Sequence, residues 1–155
     1  MNSKYINIYN YLVNLSRNKE LYKNFKKQDT FSDRLIFFLL HLAFFLKTYK
    51  DQDNKELLQE IYDYIFRQLE LSVREIGYGD QSINKKMKDY LNLFHSMIDK
   101  IHDWENLTFN SRVAFLESFL DNASNTEYLA SYFEKYLINL TNNTLNSHIN
   151  GVINP

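Results

Sequence analysis

Two histidines and an aspartate near the middle of the chain have the spacing of a metal site. His95, Asp99 and His102 follow one another at helical intervals, so they lie on one side of a helix, where imidazole and carboxylate groups can bind a divalent metal. Lys88 and Ser96 share that side, which is typical of a solvated surface. A di-iron bundle would also need Glu-x-x-His motifs on two helices, and the sequence has none. We therefore expect no metal and no other cofactor.

The motifs of common enzymes are absent from the sequence. There is no cysteine to act as a nucleophile or thiolate ligand, and no Ser-His-Asp order, phosphate loop or nucleotide fingerprint. The absence of cysteine also favours a reducing compartment. We therefore predict a cytoplasmic protein that works by binding another protein, without catalysis.

The segment best suited to binding joins two long predicted helices. Its polar residues and glycines are Arg74, Glu75, Gly77, Gly79, Asp80, Lys85, Lys86 and Lys88. Part of the pattern is structural, because glycines permit positive φ and Asp80 or Ser82 can cap the next helix. The three lysines oppose that helix's dipole, at a cost of a few tenths of a kcal/mol each. They indicate an anionic partner, such as RNA, lipid head groups or an acidic protein surface.

Helical periodicity dominates the rest of the chain, which has three glycines and one proline, Pro155. It predicts an all-α single domain over residues 1–155, a bundle of five to seven helices. Helices are expected at 4–16, 19–27, 35–46, from Asn54 to Gly77 with a buried stripe from Leu57 to Ile76, from Ser82 to near Trp104, at 108–120 and at 125–146. We expect the tail after Asn146 to be frayed.

The run Leu35–Leu46 is apolar on every side. Its twelve residues are fewer than the ~20 that span a bilayer, so they predict a central buried helix. His41 within it is expected to be a hydrogen-bonded core residue, with haem ligation as the alternative. Its phenylalanines are expected to belong mostly to the core, with an accessible groove as the alternative. These phenylalanines are Phe37, Phe38, Phe44 and Phe45.

The overall charge and the N-terminus limit the partners and the location. With 18 basic and 19 acidic residues the net charge is −1, so no overall field attracts DNA or an anionic membrane. Residues 1–17 lack the features of a signal or transit peptide. We expect neither export nor organelle import, and any membrane contact is expected to be local and peripheral.

Several spaced motifs in residues 21–103 resemble the ubiquinol-cytochrome c chaperone family. In order, they are Asp29-Thr30-Phe31 with Arg34, Leu40-His41, Asp63 with Phe66, the segment Arg74 to Asp80, and Lys85 to Lys88. Asn84 stands where the family usually has proline, and Ser96-Met97 where it usually has Gly-Arg. These departures weaken the case for a basic face on the helix after Gly79.

The resemblance implies an assembly factor for cytochrome b of the respiratory bc1 complex. It implies binding of newly made cytochrome b or its assembly intermediates, with a small partner chaperone and the ribosome as further partners. With no transit peptide, it implies a bacterial, alphaproteobacterial member acting at the cytoplasmic face of the inner membrane. Asp29, Thr30, Phe31, Arg34, His41, Asp63 and Phe66 are expected to be structural, with buried pairs of Arg34 and Arg74 to Asp29, Asp63 or Glu75.

The resemblance ends near Asn106, so we expect helices 108–146 to be a lineage-specific addition. Two other functions remain open. One is a peripheral membrane-surface protein without a specific client, which would use Lys85 to Lys88 and the apolar helix. The other is a metal carrier or enzyme centred on His95 and His102, which predicts stoichiometric metal in the purified protein.

Overall fold

The computed structural model describes residues 4–23, 31–120 and 125–155, and only the backbone of Phe31 and Ser32. Within these ranges the fold is all-α, as predicted, with no strand. The α-helices are α1 (Ile6–Ser16), α2 (Phe31–Thr48), α3 (Lys55–Glu75), α4 (Asp80–Ile101), α5 (Phe109–Phe119), α6 (Thr126–Thr141) and α7 (Leu145–Asn150). Short 3₁₀ helices form at Lys19–Tyr22 and Trp104–Asn106.

Helix α2 is the centre of the core because its sequence offers an apolar side chain in every direction. Helices α1, α4 and α6 pack around it, and seven consecutive residues, 39–45, are fully buried. The four phenylalanines of the predicted run are all buried, so the alternative of a phenylalanine-lined groove is wrong. No helix in the described ranges is both long and apolar enough to cross a membrane.

Helices α3 and α4 form a hairpin, and their boundaries follow local signals. Gly77 has φ +101° and ends α3, as predicted for a left-handed residue after a helix. Ser82 does not cap α4, since that helix already begins at Asp80 after the extended residue Gly79. Asn54 precedes α3 as expected, but its amide donates to the carbonyl oxygen of Tyr49 at 3.0 Å and does not cap the helix.

The predicted helix 19–27 is wrong in its described part. Residues Lys19–Tyr22 form one 3₁₀ turn, and Lys23 is already extended. Asn18 accounts for this turn, because its side chain accepts a hydrogen bond from the amide of Glu20. Positions 24–27 lie outside the described residues.

The C-terminal residues pack against the N-terminal helix, which corrects the expectation of a frayed tail. The predicted helix 125–146 ends at Thr141, and Thr144 caps the separate helix α7 by accepting from the amide of Ser147. Helix α7 lies on α1 and buries His148 among aromatic rings of α1, of α2 and of the residue that follows α2. These rings belong to Tyr11, Phe45 and Tyr49.

Candidate binding surfaces

The turn between α3 and α4 is held by an ion pair on the protein surface. Arg74, in the last turn of α3, donates from Nη1 to Oδ1 of Asp80 at 2.8 Å. Its Nε lies 3.7 Å from Oε2 of Glu70. The predicted buried pairing of Arg74 with Asp63 or Glu75 is therefore wrong: its side chain is 42% exposed, and its partners are Asp80 and Glu70. The pair joins the end of one helix to the start of the next.

Three large apolar side chains are exposed around this turn. Ile76 is 51% exposed, and Leu71 and Tyr78 are each 40% exposed. Ile76 was expected in the buried stripe of α3, but it follows the last helical residue, where the chain turns away from the core. Lys86 Nζ lies 4.4 Å from the ring centroid of Tyr78, a cation–π contact that covers one ring face.

The sequence-predicted binding residues lie together at this end of the hairpin. All of them are exposed except Lys86, which is half-buried. We call the whole area the turn surface. It comprises Leu71, Arg74, Glu75, Ile76, Gly77, Tyr78, Gly79, Asp80, Lys85, Lys86 and Lys88. It combines apolar contact area with positive charge, which suits contact with another macromolecule better than bond chemistry.

A second concave surface lies at the opposite end of the hairpin, and the sequence analysis singled out only His95 and His102 among its lining residues, as metal ligands. We call it the three-helix groove. The end of α2, the start of α3 and the end of α4 enclose about 840 Å³. Tyr62 in the groove is fifteen residues from Gly77, which along a helix is about 22 Å. The two surfaces are therefore separate.

His41 is a hydrogen-bonded core residue, as the sequence predicted. Its Nδ1 lies 2.6 Å from the carbonyl oxygen of Phe37, and its Nε2 lies 2.6 Å from the Tyr132 hydroxyl. A carbonyl can only accept, so Nδ1 carries the proton and Nε2 accepts from Tyr132. Burial lowers the pKa of His41 to about 4. Both ring nitrogens are occupied, which argues against the alternative of haem ligation.

The histidines at helical spacing on α4 do not form a metal cluster. Among the described residues, no group of three or more His, Cys, Asp or Glu side chains is placed to hold a metal ion. His95 and His102 instead line the three-helix groove. The Nε2 atom of His95 lies 3.4 Å from the Tyr62 hydroxyl.

The residues expected to be structural have mixed environments. Phe66 is buried against Phe94, with ring centroids 5.2 Å apart. Asp63 is exposed and accepts a hydrogen bond from the Gln59 side chain at 3.0 Å, so it is no core partner for an arginine. Arg34 is half-buried. Asp29, Thr30 and the side chain of Phe31 lie outside the described residues.

The described residues form an all-α protein with two candidate binding surfaces. The model of the ubiquinol-cytochrome C chaperone family matches residues 23–102. That is more than half of the chain, so the protein belongs to this family. Comparison with curated proteins gives no match.

A solved structure supports the fold over nearly the whole chain. The crystal structure of the Cbp3 homolog from Brucella abortus is similar, with a TM-score of 0.78 and 23% sequence identity, and the match covers 97% of this chain and 87% of that one. Coverage this high includes the residues after Asn106, which the family model leaves out.

Proposed function

We propose that this protein is a non-catalytic assembly chaperone that binds newly made cytochrome b, or its assembly intermediates, through the turn surface. The observation that carries the proposal is the exposure of Leu71, Ile76 and Tyr78 beside Lys85 and Lys88. This surface lies within the family-matched residues 23–102. Apolar side chains at an exposed turn stabilise the free protein little, so binding is the better explanation for them.

The chemistry of the surface fits a membrane protein in the course of assembly. Newly made membrane helices expose apolar side chains to water until they are inserted, and exposed apolar side chains of a chaperone can cover them. The lysines favour contact with acidic segments of the client or with anionic lipid head groups beside it. A peripheral position at the cytoplasmic face of the inner membrane follows from this proposal.

The ion pair across the turn supports a preformed surface. The 2.8 Å contact of Arg74 with Asp80 joins the end of α3 to the start of α4, which supports a surface that is already ordered before the client binds. Binding to a preordered surface loses less conformational entropy. Helix α6 packs on α2 and α7 packs on α1, which supports a single domain. A small partner chaperone and the ribosome are further proposed partners.

The test is complementation of a strain that lacks the protein. The strain receives the wild type or a variant with Lys85→Glu and Lys88→Glu, and cytochrome b haem and bc1 complex are measured by difference spectra. We expect the deletion and this variant to lower both quantities together. The matched control carries Lys19→Glu and Lys23→Glu, the same change in charge at exposed residues elsewhere, and should restore both.

Two results would count against the proposal. Unchanged cytochrome b haem in the deletion strain would rule out cytochrome b as the client. If the Lys85/Lys88 variant, at wild-type abundance, fully restored cytochrome b haem and bc1 complex, the turn surface would be ruled out as the binding site. If the purified protein instead floats with anionic liposomes without any client, and charge reversal at Lys85 and Lys88 abolishes flotation, a general membrane-surface function is favoured.

A further inference from the structure

We infer that the three-helix groove is a second binding site, specific for a fatty-acid carboxylate. The inference goes beyond the proposed chaperone function, and it concerns the end of the α3–α4 hairpin opposite the turn surface. It depends on the shape of the groove, the placement of its apolar side chains and the charge on its rim.

The floor of the groove is apolar and comes from all three helices. Leu46 comes from α2, Leu58 and Tyr62 from α3, and Ile98 and Ile101 from α4. These side chains line one concave surface. A concave, mostly apolar surface of this kind suits a small ligand with an apolar part. A volume of about 840 Å³ lies within the range of small-molecule sites.

The rim of the groove is positive. Its charged lining residues are three lysines and one aspartate. Lys47 is paired with Glu105 at 2.7 Å, but within the described ranges Lys50 and Lys55 have no ion-pair partner. The one acid, Asp51, already accepts a hydrogen bond from the Asn54 amide at 2.9 Å. Two lysines are therefore available to bind an anion.

Hydrogen-bond donors complete the match to a carboxylate. His95 and His102 are exposed at the wall formed by α4, and the Tyr62 hydroxyl lies beside His95. A fatty acid can contact both parts of the site, with its alkyl chain on the apolar floor and its carboxylate at Lys50 and Lys55 on the rim. A neutral alkyl chain would leave the rim lysines unused, and a small anion would leave the floor exposed to water.

Calorimetric titration of the purified protein with octanoate, decanoate and dodecanoate, each below its micelle concentration, tests the inference. If the floor binds the chain, Kd should fall about fourfold for each added methylene. If the rim binds the head group, decanoate should bind about fivefold more tightly than decanol. No binding of dodecanoate, or a Kd that does not depend on chain length, would overturn the inference.

Substitutions separate the head-group site from the floor. Lys50→Glu with Lys55→Glu should abolish the preference for decanoate over decanol and leave the chain-length dependence. Leu58→Gln, at a half-buried position, should weaken the longer chains most. Lys19→Glu with Lys23→Glu, at exposed residues outside both surfaces, is the control and should change neither quantity. An equal loss of affinity in that control, or binding of an acidic helical peptide but not of dodecanoate, would refute the assignment.

Discussion

Lowering the pH from 7 to 5 should destabilise the fold through His41. The pKa of this buried ring is lowered to about 4, whereas an unfolded histidine titrates near 6.5. Below about pH 6.5 the unfolded chain therefore binds a proton that the folded chain does not. The destabilisation is absent above that pH, grows as the pH falls, and is complete near pH 4. At pH 5 the difference amounts to about 2 kcal/mol of unfolding free energy.

The substitution His41→Asn isolates this contribution. An asparagine amide places a donor near the position of Nδ1 for the Phe37 carbonyl, but it does not titrate. Urea unfolding at pH 7 and pH 5 can be followed by the fluorescence of Trp104, the one tryptophan of the chain, which is 1% exposed. The loss of stability between the two pH values should be about 2 kcal/mol smaller in the variant than in the wild type.

The carboxylates that also titrate in this range are common to both proteins, so their effect cancels in the comparison. His95→Asn, at an exposed histidine, is the control and should keep the wild-type dependence on pH. If His41→Asn lost as much stability between pH 7 and pH 5 as the wild type, the buried neutral histidine would not be the cause. The hydrogen-bond assignment at Nδ1 and Nε2 would then also be in doubt.

Three further experiments test the fold and the turn by urea unfolding. Gly77→Ala should lower the free energy of unfolding by about 1 to 2 kcal/mol, because φ at this residue is +101°. Gly79→Ala should lower it by only about a few tenths of a kcal/mol, because φ there is −71°. Equal losses in the two variants would contradict this explanation. Phe44→Ala should cost about 3 to 5 kcal/mol, because that ring is fully buried; a cost below 1 kcal/mol would contradict a core role. A double-mutant cycle with Arg74→Ala and Asp80→Ala should give a coupling of at most about 1 kcal/mol, and a much larger value would contradict a surface pair.

Much of the fold could be predicted because local patterns decide it. The apolar stripes of α3 and α4 repeat over five or six turns, and Gly77 has no side chain to oppose a left-handed conformation. Predictions of helix ends failed where continuing a helix and starting a new one are close in energy. Asn142 to Thr144 contain no glycine or proline, yet the chain turns there because Thr144 caps a new helix and Leu145 and His148 can then be buried.

The binding surfaces were only partly visible in the sequence. The polar residues and glycines of the turn surface lie close together in the chain, so their grouping was found. The exposure of Ile76 depends on where the last helical turn leaves the core. The three-helix groove was missed because its lining residues, although helically spaced on each helix, come from three helices whose relative packing no local pattern specifies. The one hint was that His95 and His102 share a side of α4 with Ile98 between them.

The hydrogen bonds of the core could be predicted only in part. Burial of His41 followed from its apolar surroundings in the sequence. Its partner Tyr132 is 91 residues away, and Tyr136 donates to the His41 carbonyl oxygen from the same helix. Such pairs depend on the packing of α6 against α2, which no local pattern specifies.

Site-specific photo-crosslinking in cells tests the role of the turn surface most directly. A photoreactive residue replaces Tyr78, which is 40% exposed on the turn surface, or Tyr128, which is 45% exposed on α6, and captured chains are identified by mass spectrometry. If the turn surface binds the client, newly made cytochrome b is captured from position 78 and not from position 128. Equal capture from both positions, or none from position 78, would contradict the proposal.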